Sequence, residues 1–286
     1  MNSNQRNKGF SLTEVLMAIG IMVVGMLFVA GVFPVAIYLT TRASEQTMAS
    51  TVADEAFAKI RLIASDPNCI IYSSDFNNVN SSSFETAVNK KRLQFWQIYT
   101  TASFTKRLAD DEFAYPSTNP NFSTPKHFYW SAICRRPSLL LSDKQVQVTV
   151  FVSKTAGSGA TYWDPNTNKS ELKIIEAIPQ PKAMRLEVAY STSSNRLDEL
   201  VIKDRWSDDV PHEKILINDG TIIVDDATGQ IYRVLERYAP PKDDTILLDR
   251  PWSGSFVPAA YVWAVPPPVN GGKNAGIAVY QKIIEF

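Results

Sequence analysis

Hydrophobic and polar positions divide the chain into a continuous apolar segment near its start and a longer part of mixed character. The apolar segment runs from Val15 to Thr41, 27 residues without a charged side chain. A helix of that length extends about 40 Å, more than the roughly 30 Å of bilayer hydrocarbon. Arg6 and Lys8 precede it, and positive charge on that side favours a cytoplasmic N-terminus. We therefore predict a membrane-spanning helix, with everything after Thr41 on the outer side.

A second periodic pattern follows the apolar segment without a break. From Arg42 to Ala64, charged residues occupy one helix face, and apolar residues recur every fourth position on the other, at Met48, Val52, Ala56 and Ile60. Asp66-Pro67 ends the pattern, because the residue before a proline is driven out of helical geometry. The sequence thus predicts one N-terminal helix over residues 10–65, transmembrane at about 15–41 and amphipathic at 42–64.

Beyond residue 66 the helical period gives way to strand-like segments. Valines 146, 148, 150 and 152 alternate with other residues, as on one face of an antiparallel sheet. The predicted strands are Leu93–Tyr99, His127–Cys134, Gln145–Val152, Leu172–Ile178, Met184–Tyr190, Ile231–Tyr238, Thr245–Leu248, Tyr261–Val265 and Ile277–Ile284. The predicted fold class is α+β: a long N-terminal helix followed by a large, antiparallel β-rich head.

The roughly 220 residues after the helix are enough to form a core of their own. A charge-dense stretch, Asn195–Pro211, is the best internal boundary. We predict a β-rich globular region over residues 66–210 and a second β unit over residues 211–286. Within the second unit, Ile222–Asp249 is expected to form a small meander or barrel.

Charge and cysteine content narrow the possible functions. The chain has 29 basic and 29 acidic residues and no basic stripe to neutralise phosphates, so no nucleic-acid partner is predicted. Cys69 and Cys134 would both lie in an oxidising compartment. A disulfide between them would close a long loop and contribute on the order of 4 kcal/mol. Two buried free thiols are the alternative.

Patterns that indicate catalysis or metal binding are weak. The two histidines, His127 and His212, have no nucleophile at a telling spacing. Residues 164–168 begin like a calcium loop, but Lys169 and Ile175 replace its glycine and bidentate glutamate, which favours a hairpin turn. Three aspartate pairs are expected to be turn residues: Asp208-Asp209, Asp225-Asp226 and Asp243-Asp244. We predict no catalytic residue, cofactor or metal site, and no enzymatic activity.

The junction before the apolar run carries the sharpest signal, Lys8-Gly9-Phe10-Ser11-Leu12-Thr13-Glu14. The apolar run is too long for a secretory signal peptide, whose core has about 7–15 residues. A plain signal anchor explains the length and the basic residues. It does not explain Glu14, because a carboxylate at the edge of the apolar run costs free energy unless it finds a partner. Gly9-Phe10 also places a small residue and an aromatic where a protease could cut.

These residues resemble the N-terminal signal of type IV pilins and of type II secretion pseudopilins, with glutamate as the fifth residue after glycine. The resemblance implies that a prepilin peptidase cuts between Gly9 and Phe10, releases residues 1–9 as a leader, and leaves a Phe10 amine that is N-methylated. It also implies that the helix packs with other pilin-like subunits in a filament assembled in the inner membrane. There Glu14 would pair with the Phe10 amine of a neighbouring subunit, and the head would be periplasmic.

Other features refine this interpretation. Thr13 stands where the family usually has an apolar residue, and Pro34 lies slightly beyond the helix-loosening proline of major pilins. A mature chain that loses only nine of 286 residues is large for a major subunit. The tip-capping member characteristically lacks the glutamate that Glu14 supplies, so a minor subunit below the tip or in the shaft is expected. The signal does not separate a type IV pilus from a type II secretion filament. The alternative function is a bitopic periplasmic enzyme or binding module.

Overall fold

The structure is a computed structural model of the 286-residue chain. It describes residues 11–64, 92–94, 113–116, 127–135, 145–157, 159–163, 178–191, 196–203, 213–254 and 260–285. The chain divides into two compact units, Met1–Thr47 and Met48–Phe286. A single helix, α1 (Leu12–Ala64), contributes residues to both.

In the first unit, α1 has no charged side chain on any face from Val15 to Thr41. Its large side chains are exposed along the whole run, as with Phe28 at 71% and Phe33 at 64%. By length and composition this helix is able to cross a membrane. The structure thereby confirms the predicted long apolar N-terminal helix. The predicted stop at Asp66-Pro67 lies outside the described residues.

In the second unit, the remaining part of α1 is amphipathic. Val52, Ala56 and Ile60 are fully buried, as their four-residue spacing predicts. On the opposite face Lys59 Nζ lies 3.1 Å from Glu55 Oε1, a favourable i,i+4 pair. The apolar stripe of this segment forms one core with the first sheet of the head.

That sheet is antiparallel and has the strand order β1-β3-β4-β11. A fifth strand, β2, also pairs with β3. Its strands are β1 (Arg92–Gln94), β2 (Ala114–Tyr115), β3 (Phe128–Arg135), β4 (Gln145–Lys154) and β11 (Gly276–Glu285). The alternating valines 146–152 of β4 face the helix, whereas Phe151 lies in a separate cluster on the other face. The alternation in the sequence therefore separates the two faces of this sheet.

The remaining strands close into an antiparallel barrel in the order β10-β5-β6-β9-β8-β7. They are β5 (Met184–Tyr190), β6 (Glu199–Ile202), β7 (Ile222–Asp225), β8 (Ile231–Arg237), β9 (Thr245–Leu248) and β10 (Ala260–Ala264). Inward-facing aliphatic residues such as Leu186, Leu200 and Val262 fill the interior. A short 3₁₀ helix, Glu213–Leu216, adds the buried Leu216 to the same core.

A third buried cluster joins the sheet to the barrel. Phe151 of β4, Trp263 of β10 and Tyr162 are its largest members. Gln281 of β11 donates hydrogen bonds from Nε2 to the carbonyl oxygen of Gly229, at 2.6 Å, and to Thr149 Oγ1, at 3.1 Å. Sheet and barrel therefore pack against each other.

Most predicted strands coincide with observed ones. Met184–Tyr190 and Thr245–Leu248 have the predicted bounds, and five others differ by one or two residues at their ends. Of Leu93–Tyr99, only Leu93 and Gln94 are described, and both lie in β1. The predicted strands did not include β2, β6 or β7, although β7 lies within Ile222–Asp249, where a small meander or barrel was expected. Of Leu172–Ile178, only Ile178 is described, and it forms an isolated bridge with Tyr162. The predicted boundary at residue 210 does not follow the strand pairing, because β5 and β6 precede it in the barrel while β11 returns to the sheet.

Candidate functional site

The N-terminal turn of α1 is organised by Ser11 and Glu14. Ser11 precedes the first helical residue, and its carbonyl oxygen accepts the backbone N–H of Val15 at 3.2 Å. The backbone N–H of Ser11 donates to Glu14 Oε2 at 3.1 Å. This contact is the glutamate half of a capping box, in which a glutamate three residues after an N-cap serine reaches back to the N-cap amide. A negative charge here also interacts favourably with the helix dipole.

Thr13, the departure from the family pattern, has a partner in the same turn. Its hydroxyl oxygen lies 2.7 Å from that of Ser11. Both side chains are exposed. A threonine is accommodated here because the two hydroxyls hydrogen-bond to each other, which lowers the cost of placing them near an apolar environment.

The predicted cleavage residues, Gly9 and Phe10, lie outside the described residues. Glu14 is described, exposed, and turned toward the amide of Ser11. The sequence reasoning missed this capping contact, although the signal for it, Ser-x-x-Glu at positions 11–14, was present.

The predicted disulfide stays a prediction. Cys134 is buried on β3, in the core that α1 and the sheet share. Cys69 lies outside the described residues. Burial at Cys134 is compatible with either of the two states expected from the sequence.

Acidic residues in the described part of the head have structural roles. Asp225 accepts the backbone N–H groups of Ala227 and Thr228, each at 2.9 Å, which makes it a turn residue as expected. Asp243 Oδ2 lies 2.7 Å from Lys214 Nζ, and this hydrogen bond lowers the pKa of the Asp243 carboxyl. Each of these carboxylates therefore holds a loop of the barrel.

Glu199 is a buried glutamate of the barrel wall. It accepts a hydrogen bond from the Tyr238 hydroxyl at 2.9 Å and lies 3.6 Å from Arg196 Nε. Burial raises the pKa of Tyr238, and the hydrogen bond to Glu199 adds to the effect. The three residues tie the start of β6 to the chain after β8.

Other candidates from the sequence do not come together at one place. His127 is exposed before β3, whereas His212 and the calcium-like residues 164–168 lie outside the described part of the chain. Among the described residues, no group of three or more His, Cys, Asp or Glu could hold a metal ion. The N-terminal turn is thus the site on which the functional argument rests.

Comparison with known proteins points to the same turn. The prokaryotic N-terminal methylation motif matches residues 4–30. The match covers the predicted cleavage residues, the capping turn and the first half of the apolar run. Searches of curated proteins and of solved structures found no match to the chain. By this motif, the chain carries the N-terminal signature of type IV pilins and pseudopilins.

Proposed function

We propose that the chain is a minor, pilin-like structural subunit of a type IV pilus or a type II secretion filament. One observation carries the proposal: the methylation motif of residues 4–30 continues directly into an exposed apolar helix whose first turn holds Glu14. The motif implies a prepilin peptidase and other pilin-like subunits as partners. The apolar helix anchors the chain in a membrane.

In the proposed processing step, prepilin peptidase hydrolyses the Gly9–Phe10 bond and releases residues 1–9. Gly9 has no side chain, so its carbonyl group fits a narrow protease cleft. The new Phe10 amine is cationic and is then N-methylated, which retains its positive charge. Glu14 supplies the carboxylate that neutralises such an amine near the membrane.

In the proposed assembly step, Glu14 of one subunit pairs with the Phe10 amine of its neighbour. An unpaired charge in a low-dielectric helix bundle is strongly disfavoured, so this pair sets the axial register between subunits. The head, with its sheet and barrel, would lie in the periplasm. The inner membrane is the proposed site of assembly.

Mass spectrometry of the membrane-extracted protein tests the proposal. We expect a chain that begins at N-methyl-Phe10. Gly9→Val should leave residues 1–9 attached, because the larger side chain obstructs the protease cleft. Gly20→Val is the matched control, since a Cβ at Gly20 meets nothing within 4 Å, and this variant should still be cleaved.

The contrary result is an intact N-terminus in cells with an active prepilin peptidase. It would remove the main support for a filament subunit. A bitopic enzyme or binding module, which works with residues 1–9 attached, would then be the better interpretation.

A further inference from the structure

Tyr38 and Arg42 form a polar pair at the far end of the apolar run, one helical turn apart. Arg42 Nε donates a hydrogen bond to the Tyr38 hydroxyl at 3.3 Å. The guanidinium carbon also lies 5.9 Å from the centre of the Tyr38 ring, within cation–π range. Helical side chains point toward the N-terminus of their helix, and this contact holds the guanidinium back over the end of the apolar run.

Of the three residues between them, the two threonines do not need a polar partner outside the helix. Thr40 Oγ1 donates to the carbonyl oxygen of Ala36 at 2.8 Å, and Thr41 Oγ1 donates to that of Ile37 at 2.9 Å. Hydroxyls that bond back to the helix in this way are tolerated in lipid. After Glu14, the next charged side chain along the chain is Arg42. The edge of the apolar environment therefore falls at the turn of Tyr38 and Arg42.

We propose that Tyr38 and Arg42 bind the phosphate of a lipid headgroup in the leaflet nearest to them. A guanidinium has five N–H donors in a planar fork, and the bond to Tyr38 takes only the one on Nε. The terminal amino groups can then donate to two phosphate oxygens, the geometry in which arginine binds phosphate best. Tyrosine is itself favoured at the membrane–water interface, where its ring is in the apolar layer and its hydroxyl in the polar one.

This site fixes the depth of the helix in the bilayer. At 1.5 Å per residue, the helix from Glu14 to Arg42 is about 42 Å long, which matches a bilayer of about 40–45 Å with its headgroups. With Arg42 on a phosphate of one leaflet, Glu14 lies at headgroup depth in the other. The proposal rests on the membrane anchoring in the proposed function and does not depend on filament assembly.

Cysteine accessibility in the full chain tests the proposal. Single cysteine probes are placed at Leu39 or Ala43, the protein is reconstituted in phosphatidylglycerol vesicles, and a charged, membrane-impermeant maleimide is added on the side of the head. The labelling of the chain's own two cysteines, measured without a probe, is subtracted. In the parent chain the probe at Ala43 should react and the probe at Leu39 should be protected.

Arg42→Leu should let the helix sink by about one turn, so that the probe at Ala43 becomes several-fold slower to label. Arg42→Lys keeps the charge but not the fork and should give a smaller change. Tyr38→Phe removes the acceptor for Nε and should also shift the boundary partially. Arg61→Leu is the control, an exposed cation of the same helix beyond the apolar run, and should leave labelling unchanged.

Phosphate-free galactolipid vesicles identify the ligand. There the difference between the parent chain and Arg42→Leu should shrink, and adding inorganic phosphate should not restore it. Equal labelling of the two proteins in phosphatidylglycerol would overturn the proposal, and so would an undiminished difference in galactolipid. Restoration by inorganic phosphate would also overturn it, by making free phosphate the ligand. Carbonate extraction of each variant shows whether the chain is still anchored in the membrane. Loss of anchoring would count against the proposed function, whereas the labelling results test the phosphate site.

Discussion

Trp263 donates a hydrogen bond from its indole Nε1 to Asp226 Oδ1 at 2.7 Å, inside the head. Asp226 directly follows β7, and its other oxygen accepts from Arg185 Nη2 of β5 at 3.1 Å. The Arg185 guanidinium in turn lies 3.8 Å from the centre of the Tyr261 ring on β10. One carboxylate thereby links β5, β10 and the turn after β7, next to the interface between sheet and barrel.

Removing this carboxylate should destabilise the head. Asp226→Ala takes the acceptor from a buried indole N–H and from Arg185, a loss of about 1–3 kcal/mol. Asp226→Asn keeps an oxygen for the indole and should cost less. Urea unfolding followed by tryptophan fluorescence measures both. As control, Asp198→Ala removes a partly exposed partner of Arg196 and should move the midpoint less than Asp226→Ala does. Equal midpoints for Asp226→Ala and the parent would show that the link is not stabilising.

The ion pair of Asp243 and Lys214 should make the head sensitive to acid. Hydrogen bonding to Lys214 holds the pKa of Asp243 below its usual value of 3.8. The folded state therefore binds this proton less tightly than the unfolded chain does. The pair's contribution to stability is complete above about pH 3.8 and is lost as the pH falls through the lower folded pKa.

Thermal unfolding between about pH 5 and pH 2 checks this dependence. Lys214→Gln should melt below the parent at the upper end of the range, and the two melting temperatures should converge at the lower end. Lys273→Gln, an exposed cation in the connection before β11, is the control and should follow the parent. Parallel curves for Lys214→Gln and the parent would contradict the predicted role of the pair.

The local part of this fold was predictable from the sequence, and the non-local part was not. Strands β5 and β9 were predicted with their observed bounds, and in β5 buried apolar residues alternate with the polar Arg185 and Glu187. Strand β6 was missed because it has four residues and lies in a charge-dense stretch. Its Glu199 is nevertheless buried, since Tyr238 donates to it from a distant part of the chain. Barrel closure likewise depends on β10 pairing with both β5 and β7, which no local pattern encodes.

The candidate site likewise has a local part that the sequence predicts and a non-local part that it does not. Ser11 and Glu14 are three residues apart, so their contact follows from helix geometry and could be found in the sequence. In the proposed filament, the partner of the Phe10 amine would belong to another chain. No pattern within this sequence specifies where that chain lies, which is why the pairing is a proposal.

A chain that starts at Arg42, without the apolar run, should be soluble and rich in strands by circular dichroism. It keeps the amphipathic part of α1, whose buried stripe completes the core of the first sheet. If Cys69 and Cys134 are bonded, a reductant should lower its melting temperature, because an open loop gains entropy in the unfolded chain. Cys69→Ser should melt at the same temperature as the reductant-treated parent, whether or not reductant is present. An unchanged melting curve together with two alkylatable thiols would exclude the disulfide.

Glu14 should be required for incorporation into a filament and dispensable for processing. Glu14→Leu should still be inserted and cleaved, because both steps depend on the apolar run and the basic residues before it. Incorporation should fail, since the Phe10 amine of the neighbouring subunit would be buried without its carboxylate, at a cost of about 3–5 kcal/mol. Crosslinking or co-purification with other pilin-like subunits measures the loss.

Glu14→Gln separates charge from helix capping in the same experiment. Glutamine can still accept the Ser11 N–H, as in a capping box, but it carries no charge for the amine. We therefore expect Glu14→Gln to be incorporated as poorly as Glu14→Leu, while Thr13→Val, which alters the adjacent position, is incorporated normally. Normal incorporation of Glu14→Gln beside a defective Glu14→Leu would assign the role to the capping contact. Normal incorporation of both would show that Glu14 does not set the register, and the bitopic alternative would gain support accordingly.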